Sequence, residues 1–302
     1  MNAVLVLDKP AAFTSHDIVN RVRRITAERS VGHLGTLDPM ATGVLPLVLG
    51  RYTRLAQFFK DSAKVYEGEI RFGFSTDTYD AEGETVGPVF SAEPTLAEIQ
   101  RHLASLTGRI LQLPPAYSAK KINGVAAYKL ARKDKPVEMK AVEVEVHRFD
   151  IQSVCGDRAR FVAEVSAGTY IRSLAHDLGQ ALGCGAHLSQ LRRTQAGEFN
   201  LAQAVTLDEL EKRYAGEEPE RIESLYLHPR LILNGFPSVT ATAAQLAAIR
   251  NGRPVNLSDF SDAPLVKVFA NQQLLVAIVQ RVAGTLFRPC VVLFGSNEPL
   301  PL

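Results

Sequence analysis

Cysteine is scarce in this chain. Cys155, Cys184 and Cys290 are the only three among 302 residues, widely separated, odd in number and without a C-x-x-C pair. Such spacing offers neither a disulfide framework nor a zinc site, and it suits a reducing compartment. Long apolar runs are missing too. Val4 to Leu7 is halted by Asp8 and Lys9, which is too short for a signal peptide, and no stretch approaches the roughly 20 apolar residues that cross a bilayer. A soluble, cytoplasmic protein without membrane contact is expected. Nor is there a large excess of one charge: the net value is +2, so the total does not argue for a nucleic-acid partner and the distribution must be read instead. P-loop, G-x-G-x-x-G and G-x-S-x-G patterns are absent, which removes nucleotide hydrolysis, dinucleotide redox chemistry and serine-hydrolase chemistry. The acidic run Ser75 to Glu84 fails the EF-hand pattern, because Tyr79 and Ala81 stand where ligands belong, so no metal is expected there. Repeats and low-complexity tracts are also lacking.

What is present is an ordinary globular composition, 46% hydrophobic and 22% charged, long enough for one large domain and a small one. The most unusual stretch is Val31 to Gly50, V-G-H-L-G-T-L-D-P-M-A-T-G-V-L-P-L-V-L-G. Its glycines and prolines predict a chain of turns. Loops are usually polar, yet this one is apolar around a single acid, Asp38, and an acid in such a setting needs a partner. Asp38-Pro39 reads either as a turn starter or as a functional carboxylate, with Gly32, Gly35 and Gly43 letting backbone approach a ligand and His33 adding an aromatic face.

Elements follow from patterning. Ala3 to Leu7 predicts a strand. Thr14 or Ser15 caps a helix with Asp17 at its positive end and Ile18, Val22 and Ile25 as its buried stripe. Its arginines, Arg21, Arg23, Arg24 and Arg29, are a solvated face or a phosphate-facing edge. Arg51 to Phe59 predicts a helix, and Lys64 to Phe74 a half-buried strand with Tyr66, Gly68, Ile70 and Phe72 on one face. Thr95 to Glu98 is a capping box before Ile99, Leu103 and Leu106. Val142 to Val146 and Arg158 to Val165 predict strands. A glycine turn then leads into a helix striped by Ile171, Leu174, Leu178 and Leu182. Arg172 lies in its first turn, where the helix dipole disfavours a cation; it is either exposed or paired with a buried anion, and Asp38 is an anion in need of a cation. Basic residues cluster from Lys120 to Lys135, with Tyr117 and Tyr128 among them. This mixture suits an RNA backbone and unstacked bases, against the plainer reading of a solvated basic helix.

G-H-L-G-T-L-D-P-M-A-T-G-V-L, Gly32 to Leu45, resembles the signature of the TruB-type pseudouridine synthases, which convert uridine 55 in the T-loop of tRNA to pseudouridine. Five more segments are similar to family motifs: K-x-Y at Lys64 to Tyr66, T-D-T-x-D at Thr76 to Asp80, P-P-x-Y-S-A-x-K at Pro114 to Lys121, S-x-G-T-Y-I-R at Ser166 to Arg172, and L-G-x-G-A-H-L-x-x-L-R-R at Leu182 to Arg193. The resemblance implies Asp38 as the essential catalytic residue, Arg172 as its partner and Tyr66 against the target base. It also implies Asp80 close by, Tyr170 near the substrate and Leu191 as an apolar substrate contact. Lys9, His33, Lys120, Arg192 and Arg193 complete the expected substrate-binding set. In one place the chain departs from the family: K-P-x-G-x-T-S has Ala12 where glycine is usual. Alanine resists positive φ, so the turn before the first helix, and the contact made by Lys9, are expected to differ.

The implied fold is α+β: a pseudouridine synthase domain over residues 1–235, with a central mixed, mostly antiparallel sheet flanked by helices. It ends in an acidic linker within 214–235. A small, mostly-β, PUA-like RNA-binding domain follows over residues 236–302, built from a capped helix at Thr242 to Arg250 and strands near 265–270, 273–282 and 285–294. The expected activity is tRNA pseudouridine-55 synthesis by base flipping, with no cofactor and no metal, on the tRNA T-stem-loop, by a monomer. A non-catalytic RNA-folding protein on the same scaffold would keep the basic segment but could lose Asp38. A guide-RNA-dependent synthase would carry basic extensions, whereas this chain ends in P-L-P-L; action without a guide RNA is expected.

Overall fold

The computed structural model describes residues 1–117, 121–122, 125–126, 139–216, 220–259 and 261–295. Lys120 and most of the basic cluster lie outside the described residues, as do residues 217–219 of the acidic run.

Strands β1 (Ala3–Lys9), β2 (Val31–His33), β3 (Thr42–Leu49), β4 (Lys64–Phe72), β5 (Gly108–Gln112), β6 (Val142–Cys155), β7 (Arg158–Val165), β8 (Ala186–Ala196) and β9 (Phe199–Asn200) form one sheet. Its order is β1-β3-β8-β4-β7-β6-β5, with β2 against β3 and β9 against β8. Every pairing is antiparallel except β3 with β8, where Thr42 and Gly43 face Arg192 and Arg193. Helices α1 (Ser15–Thr26), α2 (Leu96–Leu103), α3 (Ile171–Ala181) and α4 (Leu207–Ala215) cover one face through Ile18, Val22, Ile99, Leu174, Leu178 and Leu210. Thr14 and Asp17 cap α1 reciprocally, and Thr95 with Glu98 does the same for α2. Gly50–Phe58 is a 3₁₀ helix.

Val31–Gly50 is not wholly a chain of turns. Residues 34–41 form the loop, and Thr42–Leu49 is a buried strand near the middle of the sheet. Pro46 suits a strand here because of where its missing N–H points. Its carbonyl accepts from Leu34 N–H, and a strand residue directs its N and O to the same side. On that side β3 changes partner, from β8 at Thr42 and Gly43 to β2 at Leu47–Leu49, so no ladder donor is lost there.

A second sheet, β10 (Ser238–Thr240), β11 (Val255–Asn256), β12 (Leu265–Phe269), β13 (Leu275–Ala283) and β14 (Leu286–Val292), runs in the order β10-β12-β13-β14-β11, with helix α5 (Ala243–Arg250) beside it. It packs on the first sheet's other face. Val4, Val6, Val44, Val48, Phe59 and Phe199 share one core with Phe269, Ile278, Val291 and Leu293. That explains the unbroken apolar run of β1: Leu5 and Leu7 face the helices while Val4 and Val6 face the second sheet, as expected of a strand buried on both sides.

Candidate active site

The loop between β2 and β3 carries Asp38 and is fastened by its backbone. Ser15, the first residue of α1, accepts from Leu37 N–H at 2.8 Å and donates to Leu37 O at 3.1 Å. Lys9 Nζ donates to Pro10 O, Pro39 O and Ala41 O at 2.8, 3.2 and 2.6 Å. Arg193 donates to Gly35 O, Thr36 O and Val44 O at 3.0, 3.3 and 2.8 Å. Lys9 and Arg193, expected as substrate contacts, are buried and pin the loop, and Arg193 also lines the cleft beside it. Both are almost fully enclosed, and a buried cation is held by the dipoles around it. Burial lowers the Lys9 pKa to about 8, against the opposing charge of Asp38. Arg192 faces the other way and pairs twice with Asp8, at 3.0 and 2.7 Å.

Ala12 sits at φ +66° and its N–H donates to Pro39 O at 3.0 Å. Alanine itself adopts the left-handed conformation, and the Lys9 contacts are made.

Asp38 does not cap its own turn with its side chain. A backbone bond, Ala41 N–H to Asp38 O at 3.1 Å, closes the turn, and the carboxylate turns to Arg172. Nη2 donates to Oδ1 at 3.1 Å, and Nε lies 2.9 Å from Oδ2. Arg172 also donates to Asp80 Oδ2 at 3.2 Å, Thr78 O at 3.0 Å and Tyr117 O at 3.0 Å. Asp80 is oriented in turn by Thr78 Oγ1 at 2.6 Å and Glu82 N–H at 3.0 Å. The Arg172 side chain is only 5% exposed and that of Asp38 32%. The carboxylate thus opens toward solvent with its cation behind it.

It opens into a cleft of about 840 Å³ lined by His33, Tyr66, Tyr170, Arg172 and Leu191 as well as Asp38. Tyr66 and Leu191 stand on the adjacent strands β4 and β8, where Leu191 is opposite Gly68 and Arg193 opposite Tyr66. Asp80 and Lys9 are behind this wall rather than in it. Burial pushes the Asp38 carboxyl above the ordinary carboxylate range; Arg172 opposes the shift and Asp80 adds to it. The arginine alone would have predicted the reverse direction. Burial and the Arg193 charge lower the His33 pKa.

Two further residues belong to the site. Lys64 lines the cleft, and burial lowers its pKa; its i, i+2 spacing from Tyr66 is the signal that puts it on the same face. Gln112 is fully buried and bonds the backbone of Tyr170. Its signal is inverted, since the leucines beside it, Leu111 and Leu113, are exposed.

Residues 23–171 match the TruB family pseudouridylate synthase (N terminal domain), and residues 172–232 the tRNA pseudouridylate synthase B C-terminal domain. The tRNA pseudouridine synthase B of Solibacter usitatus is 48% identical over 296 residues, spanning 97% of this chain and 100% of that protein. The protein of the same name from Bacillus anthracis is 38% identical over 308 residues, 99% of each. Among solved structures, a chain of the archaeal box H/ACA Nop10–Cbf5 complex superposes with a TM-score of 0.71 at 25% identity, covering 98% of this chain and 87% of that one. Matched in two consecutive family domains and along nearly the whole length of such relatives, the chain belongs to the TruB family of pseudouridylate synthases.

Proposed function

We propose that this pseudouridine synthase converts uridine 55 in the T-loop of tRNA to pseudouridine, with Asp38 as its essential residue. The observation that carries this reading is the Asp38 carboxylate, 32% exposed in a cleft lined by Tyr66, Tyr170 and Leu191 together with His33 and Lys64, with Arg172 behind it. The isomerisation breaks the N1–C1′ glycosidic bond, turns the base and rejoins it through C5, which loses its proton while N1 takes one up; Tyr66 assists removal of the C5 proton. It needs no redox partner and no external group, and we assign it neither cofactor nor metal. An ionised Asp38 serves as nucleophile or as the partner of a cationic sugar. A stacked uridine must be flipped out to reach it. Tyr66 and Leu191 then hold the base between them, Tyr170 lies near the sugar, and His33 fills the vacated space in the RNA. Residues 236–302 add RNA contacts to the catalytic part at 1–235, with Lys120 and its neighbours along the phosphate backbone. The relatives named tRNA pseudouridine synthase B, more similar to this chain than the H/ACA structures, support a tRNA substrate and action without a guide RNA; we further propose that the protein acts as a monomer in the cytoplasm.

The test is incubation of the purified chain with an unmodified tRNA transcript, then carbodiimide treatment and primer extension. A stop at position 55 that disappears in Asp38→Asn is expected. Modification only when a guide RNA is added, or at other positions alone, overturns the reading.

A further inference from the structure

We infer that Gln112 is a positioning residue for the active site: by clamping the backbone of Tyr170 it fixes the start of α3, and so the place of Arg172 behind Asp38. The inference rests on the Asp38 reading given above.

Tyr170 is the N-cap of α3, and its side chain makes no capping bond. Tyrosine is not among the favoured capping residues, and a helix start without a cap leaves donors in need of partners. Here the partner comes from another element. Gln112, the last residue of β5, accepts from Tyr170 N–H at 2.8 Å and donates through Nε2 to Tyr170 O at 3.0 Å. One amide side chain thus pairs with both polar groups of a single residue, as a neighbouring strand would. It is fully buried, where an amide without partners is costly. The next residue on β5's side continues the join: Ser173 Oγ donates to Leu113 O at 2.9 Å.

Beyond this clamp and the bonds Arg172 makes to Thr78, Asp80 and Tyr117, α3 is held by the apolar stripe of Ile171, Leu174 and Leu178 and by the stack of His176 on Tyr79. Apolar packing is non-directional and tolerates a small slide or rotation, whereas paired hydrogen bonds do not. Arg172 is two residues beyond the clamp, and Tyr170 itself lines the cleft. A shift of α3 along its axis would move both against a loop that Lys9, Ser15 and Arg193 hold still.

The test is Gln112→Met, which keeps the length and burial of the side chain and removes both bonds. Single-turnover pseudouridine formation at saturating RNA should fall about 10–100-fold, with RNA affinity within about twofold of the wild type. The second readout is the carbon-13 carboxyl titration of Asp38 in the RNA-free protein. The charges facing Asp38 are Arg172 on α3, Asp80 and Glu82 in the turn beyond β4, and Lys9 on β1. With Arg172 displaced, the titration should move to higher pH. If Gln112→Met does not fold, Gln112→Asn, still polar but one methylene short of the clamp, is measured instead with the same expectations. A titration that stays in place or moves down, or a rate that falls only in step with the folded fraction, overturns the inference. Because the titration uses free protein, it is separate from the tRNA assignment, which a wild type inactive on the transcript would overturn by itself.

Discussion

For the residue Asp38, ionisation works against folding. Its folded-state pKa is raised above the ordinary value of 3.8, so stability linked to it is fully present below that value and is lost as pH rises through the folded pKa. Asp38→Asn should therefore melt at the same temperature as the wild type or higher at neutral pH, the difference vanishing in acid, while turnover is abolished. A lower melting temperature at neutral pH would mean that the side chain supports the turn. The acid limb of the wild-type rate should lie above the usual carboxylate range for the same reason. Arg172→Ala should behave differently, losing turnover and about 3 kcal/mol of stability, mostly through Asp80, since Asp38 is partly solvated. Ala12→Gly relieves a left-handed alanine but loosens the unfolded chain, for a net gain of about 0.5–1 kcal/mol in a denaturant melt. Of the residues the motifs point to, His33, Asp38, Tyr66, Tyr170, Arg172, Leu191 and Arg193 line the cleft, whereas Lys9, Asp80 and Arg192 do not. Motifs do not fix direction: Lys9 and Arg193, implied by the resemblance as substrate contacts, bond to the loop backbone, because a long cationic side chain can extend to solvent or bond inward with the same sequence around it.

Among the elements, amphipathic helices and alternating strands were legible, and so were the capping box at Thr95 and the helix start at Thr242, while the start left open between Thr14 and Ser15 is capped by Thr14. β3 was not, since Gly43 and Pro46 each argue for a turn when read alone. Their compatibility with a strand depends on which strands flank β3, and that is a tertiary fact. β5 was hidden because Leu111 within it and Leu113 just beyond it are exposed. Gly43 also shows why the parallel junction of β3 and β8 is tight: a Cβ there would lie 2.2 Å from Arg193 O, at φ +100°. Gly43→Ala should cost about 3 kcal/mol or more in a thermal or denaturant melt. A variant as stable as the wild type would show that the junction can open without loss.

Taken as a whole molecule, the two sheets should not melt separately. The sequence suggests a boundary at 235, but Ile232 and Leu233 belong to the same core as Val4, Phe199 and Val291. One cooperative unfolding transition is expected, and a chain ended at 235 should aggregate or melt far lower, having exposed Val6, Val44 and Phe59. Two transitions, or a soluble and active fragment, would contradict this. RNA binding is the other property of this scale. With Arg192 paired to Asp8 and Arg193 buried, the salt dependence should come from the basic cluster. Neutralising Lys120, Lys121, Lys129, Arg132, Lys133 and Lys135 should flatten the salt slope by about 0.7–0.9 for each phosphate contact removed, as read from affinities at several salt concentrations. An unchanged slope would place the RNA track elsewhere. The core between the sheets also sets an order of events at the ribosome. Val4 and Val6 emerge early, yet the side chains that cover them, Ile278, Val291 and Leu293, are among the later ones translated, and Asn2 Nδ2 donates to Leu293 O at 3.3 Å. One apolar face of the nascent sheet must wait uncovered until then, which makes chaperone binding during synthesis most consequential on that face.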